Sequence, residues 1–90
     1  METTKEKMSE YLERVQQLQR MALGFDISVG VEVSLIEGMS VINTRIHKFD
    51  AEHFKIVDSQ YPNIREWASD SENDLEMKRF KNILKKYEVL

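Results

Sequence analysis

Cysteine is absent from this chain of 90 residues. That removes disulfide scaffolds and every zinc or iron–sulfur site built on thiolates. It agrees with a reducing compartment, and the expected location is cytoplasmic. No stretch approaches the roughly 18 apolar residues that a membrane-spanning helix needs. The first fifteen residues carry Glu2, Glu6, Glu10 and Glu13 among their lysines, which is not the pattern of a signal peptide. Proline occurs once and glycine three times, too few for a repeat or a low-complexity linker. The three glycines, Gly24, Gly30 and Gly38, are too scattered to make a phosphate-binding loop. An excess of one charge is missing as well: 16 acidic residues face 13 basic ones, a net charge of −3. A balanced surface has no general attraction for nucleic acid.

What is present reads as one domain, 1–90, with a thin core. A chain this short buries only about 60–65% of the surface its unfolded form exposes. Without disulfides or a cysteine-based metal site, oligomerisation is the remaining inexpensive way to add stability.

Met8, Tyr11, Val15, Leu18, Ala22 and Phe25 recur at spacings of three and four, which predicts a long first helix. Leu12 and Met21 widen its stripe. Thr3 with Glu6 suits a capping box and Gly24 suits a C-terminal cap. The period then changes to two. Ile27, Val29, Val31, Val33 and Leu35 alternate with Ser28, Gly30, Glu32 and Ser34, as in a half-buried strand. Glu37-Gly38 reads as a two-residue turn and Met39 to Phe49 as the returning strand. This turn pairs Ile36 with Met39, Val33 with Ile42, Val31 with Thr44 and Val29 with Ile46. A one-residue slip would set Val31 against Asn43 and Val29 against Arg45 and spoil the apolar face. The opposite face, with Glu32, Ser34, Asn43, Arg45 and His47, is expected to meet solvent. Gly30 on that face marks a bulge or a close approach.

Residues 50–61 are read as a short helix capped by Asp50 and carrying Phe54, Val57 and Tyr61, with a third strand over Phe54–Val57 as the alternative. Pro62 ends that element. Ile64 and Trp67 fall in a connecting segment, 69–74 in a polar loop. The last helix is placed at about 72–88, with Met77, Phe80, Ile83, Leu84 and Tyr87 on one face. The expected fold class is α+β: a long N-terminal helix, a β-hairpin, a short helix or third strand, and a C-terminal helix, the helices packed on one face of a small antiparallel sheet.

Chemistry-bearing motifs are scarce. His47 and His53 flank Asp50 and Glu52, but no metal-ligand spacing such as H-E-x-x-H is present. They read as surface histidines, and neither a metal nor another cofactor is expected. No nucleophile elbow occurs, so no enzyme activity and no small-molecule substrate are expected. Lys78, Arg79, Lys81, Lys85 and Lys86 cluster in the last helix. Lys78, Lys81 and Lys85 share a stripe that could follow a phosphate backbone. However, Glu72, Asp74 and Glu76 in the first turns make the same pattern a complement to the helix dipole. Trp67 stands among Glu66, Asp70, Glu72 and Asp74, where it could anchor a partner or simply cap the core. The function expected from these features is a protein–protein interaction or assembly module, self-associating through a sheet edge or a helix face. The residues favoured for contact are Val41, Asn43, Arg45 and His47 on the returning strand, taken as the edge, with Trp67 nearby. The alternative is a small regulatory protein binding nucleic acid through Lys78, Lys81 and Lys85.

Overall fold

The computed structural model describes all 90 residues. Helix α1 spans Lys5–Met21 and is followed by strands β1 (Ile27–Ile36), β2 (Met39–Asp50), β3 (Lys55–Gln60) and β4 (Asn63–Arg65), and by helix α2 (Asp70–Lys86). The strands form one antiparallel sheet with β2 in the middle. β1 lies along one side of β2, and β3 and β4 divide the other side between them.

The hairpin register follows the apolar alternation. Ile36 pairs with Met39, Val33 with Ile42, Val31 with Thr44 and Val29 with Ile46. The turn is tight because Glu37 and Gly38 both take positive φ, 51° and 80°, as a two-residue hairpin loop matched to strand twist requires. Gly30 breaks no register. It is there because Arg45 lies over it: a Cβ at this position would stand 3.1 Å from Arg45 Nε.

Both helices lie on the face that carries Ile27, Ile42, Ile46 and Ile64, joining Met8, Tyr11, Val15 and Leu18 of α1 and Met77, Phe80 and Leu84 of α2 in one core. The first-helix stripe thus packs on the sheet as far as Ala22, while Met21 and Phe25 stay exposed. Tyr11 binds the helices together at depth. Its hydroxyl donates to Asp74 Oδ1 at 2.6 Å, and burial with that carboxylate pushes its ionisation well above the usual phenol range.

Four details differ from the sequence expectation. The N-cap of α1 is Thr4, whose side chain accepts from Lys7 N. Thr3 instead extends past the sheet, its N–H donating to the carbonyls of Glu66 and Ala68. Helix α2 begins two residues early, capped by Ser69, whose hydroxyl accepts from Glu72 N. Residues 50–61 follow the alternative reading, a third strand at Lys55–Gln60, and not the favoured helix. Asp50 does accept from Glu52 N and His53 N, the local signature of a helix start, but Phe54 at φ 51° ends the turn at once. The chain then joins β2 as β3, where its backbone groups gain ladder partners that a one-turn helix could not supply. Phe54, Val57 and Tyr61, assigned to an apolar helix face, are all exposed. Ile64 sits in a strand, not in a connecting segment.

Candidate functional site

The returning strand is not an edge. β2 is paired on both sides over most of its length: Val41 with Ser34 and Arg65, Asn43 with Glu32 and Asn63, His47 with Ser28 and Ser59. The long free edge is β1, whose only strand neighbour is β2.

Which β1 groups point outward follows from the hairpin. A two-residue loop makes Ile36 and Met39 a hydrogen-bonded pair, and such pairs recur at every second residue. The even residues of β1, from Ser28 to Ile36, therefore bond inward to β2. The odd residues direct their N–H and C=O groups away from the sheet. Three contacts agree with this parity. Gln19 Nε2 reaches the Val29 carbonyl from outside at 2.9 Å. On the far side of β2, Thr44 N donates to Pro62 O and Glu66 N to Ser40 O. Val31, Val33 and Leu35 thus present unpaired backbone groups along the edge.

Their side chains point to the helix-bearing face, where Val31 packs against the core but Val33 and Leu35 are left uncovered by the helices. α1 crosses the sheet obliquely. Its N-terminus is anchored beyond β4 through Thr3, and its C-terminus reaches the β1 edge at Gln19. Near the hairpin tip the helix has therefore drawn away from β1. Val33 remains 49% exposed and Leu35 72% exposed. Between them and the helix lies a groove of about 270 Å³ whose walls include Met8, Leu12, Val33, Leu35 and Ile42. Glu66 closes one end. Its carboxylate accepts from Ser40 N at 2.9 Å and from Lys5 Nζ at 3.2 Å. These two bonds, Ser40 first, hold its carboxyl below the usual glutamate range.

The opposite edge is built differently. β3 and β4 are six and three residues long, separated by Tyr61-Pro62. The register of β3 shifts between Lys48 and Phe49, the mark of a bulge. Beyond β4 the N-terminal segment is held by the bonds of Thr3 to Glu66 and Ala68 and by Asn73, which is fully buried. Asn73 donates to Thr3 Oγ1 at 2.8 Å and to Arg65 O at 2.9 Å, and accepts from Arg65 N at 3.1 Å. In the sequence Asn73 stands where the polar stretch 69–74 overlaps the start of the last helix. Its burial had no local signal, because the groups it satisfies are distant in the chain.

The other residues singled out in the sequence are dispersed. Asn43 donates to Ser34, Arg45 pairs with Glu32, and the His47 ring bonds Ser59 Oγ at 2.8 Å and meets Tyr61 edge-on. These are cross-strand pairs on the helix-free face. Val41 is buried and Trp67 is 41% exposed. His53 belongs to another partner, Asp50, at 2.7 Å. That bond holds the Asp50 carboxyl below its usual range. No three His, Asp or Glu side chains stand together in a way that could hold a metal ion. Lys78, Lys81 and Lys85 are exposed on α2, and none of them forms an ion pair. No helix is long and apolar enough to cross a membrane. Comparison of the chain with protein-family models, with curated proteins and with solved structures gives no match.

Proposed function

We propose that this protein is a small assembly module that associates with its own kind by strand addition at the β1 edge. One observation carries the reading. Over ten residues this edge has a single charged side chain, Glu32, no proline and no bulge, and three of its large apolar side chains, Val33, Leu35 and Ile36, lie uncovered. Proteins protect strand edges of this length with charge, bulges or a covering segment unless the edge is to be paired. Strand addition also supplies what a thin core lacks, because each pair formed adds backbone hydrogen bonds and buries apolar surface. Molar mass by light scattering over a concentration series tests this. The expected result is a rise from one chain mass to two. A single chain mass up to the highest concentration overturns it.

A second reading uses the unpaired lysine stripe of α2, Lys78, Lys81 and Lys85, against a phosphate backbone. It is weaker because Glu72, Asp74 and Glu76 lie on the same helix. Fluorescence anisotropy with a DNA duplex at low salt tests it. Binding that weakens steeply with salt supports it, and no binding removes it.

A further inference from the structure

Resting on the reading of β1 as a self-associating edge, we infer that two copies pair β1 to β1 antiparallel about a two-fold axis through Val33, and in no other register. An antiparallel two-fold joint must match outward-facing residues with outward-facing residues. The candidates on β1 are Ile27, Val29, Val31, Val33 and Leu35. The Val29 carbonyl is already taken by Gln19, so a register that requires it breaks an existing bond. Centring on Val31 or on Glu32 requires it. Centring on Glu32 also places two Glu32 carboxylates directly opposite each other at the axis, which is repulsive. Centring on Ser34 leaves only Val33 and Leu35 to pair.

Centring on Val33 avoids all three faults. Val33 meets Val33 of the second copy, Val31 meets its Leu35, and Leu35 its Val31. Each of these pairs exchanges two backbone bonds. Glu32 falls opposite Ser34 of the second copy, not opposite another carboxylate. The uncovered Val33 and Leu35 side chains of both copies form one apolar row along the open side of the groove.

The charges at the ends of the joint fit as well. In this register Glu37 lies opposite Val29 of the second copy. Arg20 stands beside Val29 in each chain, on the wall of the hollow formed with Gln19, Leu23 and Ser28. Neither Arg20 nor Glu37 has an ion-pair partner within its own chain. The joint brings Glu37 of each copy to Arg20 of the other. The result is a continuous eight-stranded sheet with all four helices on one face.

Cysteine pairing tests the register, and the native chain has no thiol to interfere. Glu32 and Ser34 of opposite copies form a non-hydrogen-bonded pair with Cα atoms about 4.5 Å apart, inside the range a disulfide spans. Glu32 with Glu32, or Ser34 with Ser34, are diagonal neighbours about 7–8 Å apart. An equal mixture of Glu32→Cys and Ser34→Cys chains, oxidised mildly, is expected to give the mixed disulfide as the main product by intact mass. Either variant alone should stay largely unlinked. Strong cross-linking of Glu32→Cys alone places the axis at Glu32 and overturns the register, and strong cross-linking of Ser34→Cys alone places it at Ser34. A dimer by mass with none of the three products means another surface and overturns the inference, while self-association stands. A monomer at every concentration removes the underlying reading itself. Charge exchange checks the same register without thiols. Arg20→Glu and Glu37→Arg should each weaken association several-fold, and the two together should restore it. Failure of the double variant to recover counts against the register.

Discussion

The two edges of this sheet solve the same problem in opposite ways. On one side the chain is broken into β3 and β4 and interrupted by Tyr61-Pro62. It is bulged beside Lys48 and fenced at β4 by the N-terminal segment that Thr3 and Asn73 hold. On the other side β1 runs ten residues without interruption, and only Gln19 attends to its outward groups. The two edges therefore differ in length and regularity, and only β1 offers a long unbroken row of free backbone groups. In the proposed dimer a second copy would close the sheet at β1, and the broken opposite edge would disfavour extension into a fibre.

The largest expected effect comes from charging one edge and then the other. Leu35→Lys should abolish self-association, because a lysine in the apolar row is buried without a partner. Its effect on the isolated fold should stay within about 0.5 kcal/mol, since the side chain is 72% exposed. The matched change on the other edge, Val57→Lys, should leave the mass distribution unchanged. Equal sensitivity of the two edges would erase the distinction. Asn73→Ala attacks the protected side. It strands the Arg65 backbone N–H and carbonyl and removes one of the bonds to Thr3, so urea unfolding should show a loss of about 2–3 kcal/mol. A loss under about 0.5 kcal/mol would mean that these bonds do not hold the edge. Tyr11→Phe removes the bond to Asp74 that ties α1 to α2, with an expected cost of about 1 kcal/mol. The smallest effect concerns pH. Glu66 has its carboxyl lowered in the folded state, so its contribution is present above the unfolded value and is lost as pH falls through the lower folded one. Glu66→Gln should therefore be less stable at neutral pH and flatter through the acid limb of a thermal-melt series. A parallel acid limb in both proteins would show that Glu66 is not responsible.

Much of this frame was legible in the chain. The period-two run from Ile27 to Leu35 with the Glu37-Gly38 turn specified the hairpin register residue by residue, because any slip exposes the apolar face. Met77, Phe80 and Leu84 announced the inner face of α2. The free edge is not legible, because a two-stranded hairpin has two edges and alternation does not say which one later residues will cover. Asp50 gave a true capping signal, but one capped turn competes poorly with an open strand alongside β2. Val33 and Leu35 were legible as apolar and illegible as uncovered. Their exposure depends on the oblique path of α1, set by Thr3 binding Glu66 and Ala68 more than sixty residues away. Asn73 was hidden for the same reason.

The most direct measurement is amide hydrogen exchange at Val31, Val33 and Leu35 as the protein is concentrated. These N–H groups point out of the sheet and have no partner within the chain, so at low concentration they should exchange rapidly. As association proceeds they should become protected, while the outward amides of β3 stay fast. Rapid exchange of all three at every concentration, or protection growing on β3 instead, would contradict the account.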